Sequence, residues 1–159
     1  VTLEADSAPP DIVFRWSAFD EMSAQEVHDL LRLRCLVFVV EQACAFAEID
    51  GLDPDAIHLR LMIGDDLAGC LRVLADDDAV RIGRIVTAAD YRGRGLGGEM
   101  MAEALRYAQE RFPDREIALS AQAHLETFYA GQGFRVASEP YDEDGIPHID
   151  MRRAAAHGA

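Results

Sequence analysis

The chain has 159 residues, half of them hydrophobic, which suits one domain with a full core that needs neither metal nor disulfide to fold. Its formal charge of −14 argues against a nucleic-acid partner, whose phosphates would be repelled at long range, and is compatible with a cationic small molecule or a basic peptide. Cys35, Cys44 and Cys70 are odd in number and lack Cys-x-x-Cys spacing, so neither a disulfide framework nor a zinc site is expected. No stretch approaches the roughly 20 apolar residues of a membrane span, so no membrane partner is expected. The polar, acidic beginning does not read as a signal peptide, and the expected location is cytoplasmic.

Residues 1–11 lack apolar periodicity and are expected to be loosely held; the domain is expected over residues 12–153, with a tail at 154–159. Residues 12–16 read as a strand. Ser23 and Glu26 have capping-box spacing, and Val27, Leu30, Leu31, Val37 and Phe38 continue with helical period, which predicts a helix to about residue 39 or 40. Residues 41–55 interleave carboxylates with Phe46, Ile49 and Leu52 and predict a long irregular connection, a length that is often functional. Strands at 58–63, 68–74 and 80–87 follow, joined by turns at Gly64-Asp65-Asp66 and Asp76-Asp77-Asp78, as a three-stranded antiparallel meander. The aspartate triplet reads as a solvated turn rather than a metal site.

A helix is predicted over residues 96–112 and ends at Pro113. A short buried strand at 117–121 comes next, then a helix at 125–130 closed by Gly131 and Gly133. Residues 134–136 and 148–151 read as the last strands, separated by a long turn through Pro140, Asp142, Gly145 and Pro147. The order describes a mixed α/β domain of about seven strands.

Between the fourth strand and its helix lies Arg92-Gly93-Arg94-Gly95-Leu96-Gly97-Gly98. Four glycines in seven positions leave backbone amides unshielded, and the following helix adds unpaired N–H groups and the positive end of its dipole. A phosphate or pyrophosphate fits such a turn. No Lys-Ser/Thr follows as in a P-loop, and Arg92-x-x-Gly95-x-Gly97 is not the dinucleotide fingerprint. The pattern resembles the acyl-CoA pyrophosphate loop of the GNAT superfamily of N-acetyltransferases. Phe128-Tyr129-Ala130-Gly131-Gln132-Gly133-Phe134 matches that family's Tyr-x-x-x-Gly-Phe segment, in the expected place after a strand and short helix. Three further stretches resemble the ElaA-type subgroup: Val37-Phe38-Val39-Val40-Glu41-Gln42, Ala121-Gln122-Ala123-His124-Leu125 and Asp144-Gly145-Ile146-Pro147-His148-Ile149.

The resemblance implies a mostly antiparallel sheet flanked by helices and split where the fourth and fifth strands diverge, with pantetheine entering the split. It implies acetyl-CoA as co-substrate, without metal, and direct transfer to a primary amine. The amides of Arg92, Gly93, Arg94, Gly95, Leu96, Gly97 and Gly98 would hold the pyrophosphate. The backbone of Ile85, Val86 and Thr87 would pair with pantetheine, with an oxyanion donor near Val86 or Thr87. Tyr129 would serve as general acid at sulfur, or as its hydrogen-bond donor. Gly83 is a candidate bulge marker or tight packing position. The fourth strand offers no carboxylate for the family's occasional glutamate base, so Glu41, Glu48, His58 and His148 are the titratable candidates, with Glu41 and His148 foremost. Glu41 or Glu48 could also position a cationic amine. A small-molecule acceptor, a peptide or protein acceptor, a non-catalytic acyl-CoA sensor and a homodimeric assembly all stay open at this point.

Overall fold

The computed structural model describes residues 11–156, and the expectations for residues 1–10 and 157–159 fall outside it. The strands are β1 (Ile12–Ala18), β2 (Ile57–Ile63), β3 (Asp66–Ala75), β4 (Val80–Thr87), β5 (Ile117–Gln122), β6 (Arg135–Val136), β7 (Tyr141–Glu143) and β8 (Ile146–Arg153). The helices are α1 (Ala24–Cys35), α2 (Leu96–Arg111) and α3 (Glu126–Ala130). One sheet runs β1-β2-β3-β4-β5-β8-β6, with β7 paired to the outside of β8. Among the described residues only β4 and β5 are parallel.

Side-chain alternation on the central strands sends two different chemistries to the two faces. Leu59, Leu61, Leu71, Val73 and Ile82 face α2, where Met100, Met101, Ala104 and Ala108 complete an apolar core. Gly69 lets α2 approach: a Cβ there would lie 2.9 Å from the Met100 sulfur and from the Val86 carbonyl oxygen. The alternate positions, His58, Arg60, Cys70 and Arg72, are also buried but turn toward α1 and the 41–55 segment. There they meet a second, smaller apolar cluster, Met22, Leu30, Val37, Cys70 and Val86, with half-buried side chains such as Phe19, Val27 and Phe38 packed against it, and the charged groups lie beside it.

The capping box forms as the sequence predicts, with Ser23 Oγ accepting from the Glu26 amide and the Glu26 carboxylate accepting from the Ser23 amide. Beyond Cys35 the helix widens into a π-helical turn, Leu36–Glu41, and delivers Gln42 to the sheet's C-terminal edge. The long turn expected before the last strand is instead a hairpin. β7 pairs with β8 through Asp144 (φ 54) and Gly145 (φ 84), a two-residue turn in the left-handed region, and with it the sheet of the described residues has eight strands, in line with the about seven expected.

Candidate active site

β4 and β5 pair only at Val80↔Ile117 and Arg81↔Ala118 and then separate. The separation has a local cause on β4. Between the pairs Arg72↔Gly83 and Cys70↔Val86 the strand holds an extra residue against β3, and Arg84 there has φ 53. The bulge is therefore at Arg84, not Gly83. A Cβ at Gly83 would meet nothing within 4 Å, so tight packing does not explain that glycine either. An arginine in the left-handed region is strained, and such strain persists only where the surroundings fix it. Here the fixing groups are Glu48, whose Oε1 lies 3.1 Å from Arg84 Nε, Asp50 at 3.3 Å from Nη2, and the Phe46 ring 5.6 Å below the guanidinium.

Those contacts belong to a closed charge network. Arg34, 1% exposed, donates Nε and Nη2 to the Glu48 carboxylate, both at 2.8 Å, and Nη1 to Asp53 at 2.6 Å. Arg72 donates to Asp50 at 2.6 Å and to Asp53 at 3.0 Å. Three guanidiniums thus face three carboxylates. Arg72, by its hydrogen bond, holds Asp50 well below the usual carboxylate range. Burial works against the ionised form of Asp53, but hydrogen bonds from Arg34 and Arg72 outweigh it and the net direction is also down. Glu48, expected as a base or amine anchor, is consumed here and 3% exposed. His58 is equally remote from the cleft. It donates Nε2–H to the Asp53 carbonyl at 2.9 Å, its Nδ1 has no partner, and burial lowers its pKa, so it is a neutral internal residue.

The cleft opened by the bulge is a cavity of about 610 Å³. Its walls come from β4 (Ile82, Arg84, Ile85), β5 (Leu119, Ser120, Gln122) and α3 (Tyr129). Its far side is roofed by the 41–55 segment and the β7–β8 hairpin. Two cross-links close that roof: Gln122 Nε2 donates to Gln42 Oε1 at 3.2 Å, and Cys44 Sγ–H donates to the Asp144 carbonyl at 3.1 Å.

The hydrogen-bond alternation of β4 decides which backbone groups face the cavity. The Ala88 amide donates to Ala68 on β3 and Val86 pairs with Cys70, so the N–H and C=O groups of Ile85 and Thr87 point to the opposite edge, toward β5. Of the three residues expected to meet pantetheine, Val86 spends its backbone on the sheet. Past β4, Gly93 (φ 78) and Gly95 (φ 74) turn the chain into α2. Among the described residues, Glu99 is the first amide of the turn with a carbonyl partner, Gly95, which leaves the amides of residues 93–98 free. Gly97 lies within α2, and a Cβ there would find only the Phe128 ring, at 4.0 Å.

Arg92 is committed to Glu41, with Nη2 2.9 Å from Oε2, and donates Nε to the Thr87 carbonyl. Arg94 lies over the Tyr91 ring, 5.2 Å from its centroid. The Glu41 carboxylate is held below its ordinary range by Arg92 and does not line the cavity, which separates it from Tyr129 and His148.

Tyr129 and His148 both line the cavity. Tyr129 is 6% exposed, packed edge-on against Phe128 and Phe134, and burial pushes its phenol up to about 12. His148 lies 2.7 Å by Nδ1 from the Ile146 carbonyl, an acceptor only, so Nδ1 carries a proton and Nε2 is the nitrogen turned toward Glu143. Glu143 lies 3.3 Å from Nε2. Glu143 and Ser120, both on the cavity wall, escape the sequence reading; the Asp144-Gly145 turn signal, which implies a hairpin, would have brought Glu143 opposite Ile146 and beside His148. Among the described residues no group of three or more His, Cys, Asp and Glu is placed to hold a metal, and no helix is long and apolar enough to cross a membrane.

The sequence matches the family model for an acetyltransferase (GNAT) domain over residues 19–155. The Escherichia coli protein ElaA is 42% identical over 138 residues, which span 84% of this chain and 90% of that protein. Its crystal structure superposes with a TM-score of 0.86 over 90% of this chain and 99% of that one. An acyl-CoA N-acyltransferase from Pseudomonas aeruginosa superposes with a TM-score of 0.87 at 41% identity, over 91% of this chain and 100% of that one. A GNAT family acetyltransferase from Elizabethkingia anophelis, with acetyl-CoA bound, shares the fold at a TM-score of 0.66 and 17% identity, over 90% of this chain and 97% of that one. The family-model match over most of the chain and the identity to ElaA, on a sheet that splits between β4 and β5, place the chain in the GNAT acetyltransferase family, where it is similar to ElaA.

Proposed function

We propose that the protein transfers an acetyl group from acetyl-CoA directly to a primary amine of a small molecule. The observation that carries the reading is the cavity between β4 and β5, with Ile85 on its wall, followed along the chain by the free edge of Thr87 and the unpaired amides of residues 93–98 at the start of α2. Acetyl-CoA supplies the activated acyl group. The amides of the glycine loop hold the pyrophosphate through hydrogen bonds and the α2 dipole. The edges of Ile85 and Thr87 pair with the pantetheine amides, and one of those N–H groups stabilises the charge that develops on the carbonyl oxygen, a donor typically worth ~3 kcal/mol.

Tyr129 stands where the sulfur departs. Full proton transfer from a phenol at about 12 to a thiolate of cysteine-like pKa, about 8.5, is uphill by roughly 5 kcal/mol. Tyr129 therefore acts as a hydrogen-bond donor to the thiolate and keeps its proton. His148 is the base: its Nε2 takes a proton from the amine, and the Glu143 carboxylate beside it favours the incoming ammonium. Glu41 contributes at a distance by holding Arg92 against the end of β4.

The two cross-links over the cavity support a small amine over a peptide, because a chain segment passing through would have to break Gln42–Gln122 or Cys44–Asp144. The test is thiol release from acetyl-CoA across a panel of small primary amines and of peptides. Release with small amines alone is expected. Equal or greater release with peptides would move the reading to a peptide acetyltransferase, and CoA binding without release on any amine would leave an acyl-CoA sensor.

A further inference from the structure

Beside His148 the cavity wall carries a second polar group with a defined exit. Ser120 on β5 and Asp150 on β8 are cross-strand partners, on the same sheet face as Gln122 and His148. Tyr141 on β7 reaches over them: its Oη lies 2.5 Å from Ser120 Oγ and 2.6 Å from Asp150 Oδ1. The directions of these two bonds are fixed by counting protons. A phenol has one, and the ionised Asp150 carboxylate can only accept, so Tyr141 donates to Asp150 and Ser120 must donate to Tyr141. What remains to Ser120 is its lone pairs; Ser120 lines the cavity at its solvent-exposed side, and Asp150 is exposed as well.

Resting on the acetyl-transfer reading above, we propose that Ser120, Tyr141 and Asp150 form a relay that takes a proton from the acceptor nitrogen as the amide bond forms. An amine that arrives as ammonium loses two protons on the way to a secondary amide. The first must leave before attack, to expose the lone pair, and His148 takes it. The second leaves as the C–N bond forms and the C–S bond breaks, when the nitrogen has become a far stronger acid than an ammonium and a carboxylate suffices as final acceptor. In that step the nitrogen passes H⁺ to Ser120 Oγ, Ser120 passes its own to Tyr141 Oη, and Tyr141 passes its own to Asp150 Oδ1. One N–H and two O–H bonds break and three O–H bonds form. The electrons of the C–S bond leave with the thiolate, and Asp150 gives its proton to water. Two proton acceptors at one cavity wall thus answer the two protons the reaction removes.

Tyr141 also stacks on His148, with ring centroids 6.1 Å apart at 26°, so a purely structural role must be separated from the relay. Tyr141→Phe keeps the ring and removes only the linking hydroxyl. With an amine that the wild type acetylates, the variant should lose roughly tenfold or more in kcat. Its KM for acetyl-CoA and its unfolding temperature should hold, and its proton inventory in mixed H₂O and D₂O should change from the curvature of several moving protons to a straight line. Ser120→Ala cuts the same chain from the cavity side and should reproduce both changes, which covers the case in which Tyr141→Phe unfolds. Wild-type kcat, or a lowered kcat with the wild-type inventory, in a folded variant would overturn the relay while leaving acetyl transfer in place. A wild type that releases no thiol with any amine would overturn the acetyl-transfer reading itself and the relay with it.

Discussion

Replacing Glu48 with Gln should destabilise the protein more than any other single carboxylate change, although Glu48 lies in an irregular segment. Its two oxygens receive Arg34 Nε and Nη2 at 2.8 Å and face Arg84 Nε at 3.1 Å, with only 2% of the side chain exposed. The amide keeps the shape and one acceptor, but it turns an N–H₂ toward guanidinium donors and leaves the buried network with three positive and two negative groups. Removing one partner of a buried ion pair typically costs about 3–5 kcal/mol. Asp53 still holds Arg34, which puts the expectation near the lower end, about 3 kcal/mol. For a domain of this size that lowers the unfolding temperature by about 6–12 °C. Glu41→Gln is the control, because the Arg92–Glu41 pair is 42% and 46% exposed and solvent screens most of its attraction. Thermal and urea unfolding of wild type and both variants measure the contrast. A Glu48→Gln protein within about 2 °C of wild type, or no more affected than Glu41→Gln, would refute the view that this network holds the α1 face of the sheet beside its small apolar cluster.

Gly97→Val should leave the fold intact, since its Cβ meets only the Phe128 ring, and should weaken acetyl-CoA binding in a calorimetric titration by crowding the amides. The positive-φ strain of the turn sits at Gly93 and Gly95 instead, so affinity equal to wild type would remove the loop amides from the site. Tyr129→Phe removes a hydrogen bond to a developing anion, worth about 1.5–3 kcal/mol, and should lower kcat roughly ten- to a hundredfold with the unfolding temperature kept; wild-type kcat with chemistry rate-limiting would make Tyr129 a packing residue. Asp50 and Asp53 both have folded pKa values below their unfolded ones, so the stability they confer is complete above about pH 4 and is lost as pH falls through the folded values. Urea midpoints should accordingly fall steadily below pH 4, and a flat profile from pH 5 to pH 2 would contradict the direction assigned to both groups.

The regular elements from β1 to α3 are legible because each announces itself locally. The Ser23–Glu26 box starts α1, alternation marks β2 and β3, and glycines set off α2 from β4. The β7–β8 hairpin is equally announced, by Asp144-Gly145, yet Tyr141-Asp142-Glu143 lacks apolar alternation and Pro140 and Pro147 suggest a loop. Sequence favours Gly83 for the bulge because glycine tolerates left-handed backbone most cheaply. The strain is instead placed one residue later, on an arginine whose charge the Glu48 and Asp50 carboxylates can grip. The carboxylates of residues 41–55 suggest a cationic acceptor only as long as their partners are unseen, since Arg34, Arg72 and Arg84 come from three other elements. A trace of them is nonetheless present: His58, Arg60 and Arg72 occupy alternate positions of otherwise apolar, buried strands, a pattern that demands counter-charges on one face.

Those counter-charges also explain why the proposed donor and acceptor sides of the cavity are not independent. The segment that roofs the acceptor side supplies Glu48 and Asp50 to Arg84, the residue whose backbone bends β4 away from β5 and turns the edges of Ile85 and Thr87 into the cleft. Glu41, at the start of the same segment, holds Arg92 against the Thr87 carbonyl at the mouth of the glycine turn. One stretch of chain thus fixes the roof of the cavity, the β4 edge proposed for pantetheine and the turn proposed for pyrophosphate through paired charges. Because the bulge conformation is unfavourable for arginine by itself, it persists only while that stretch is seated. A substitution that unseats the roof is therefore expected to loosen the acyl-donor side as well, and the cavity behaves as one unit rather than as two adjoining subsites.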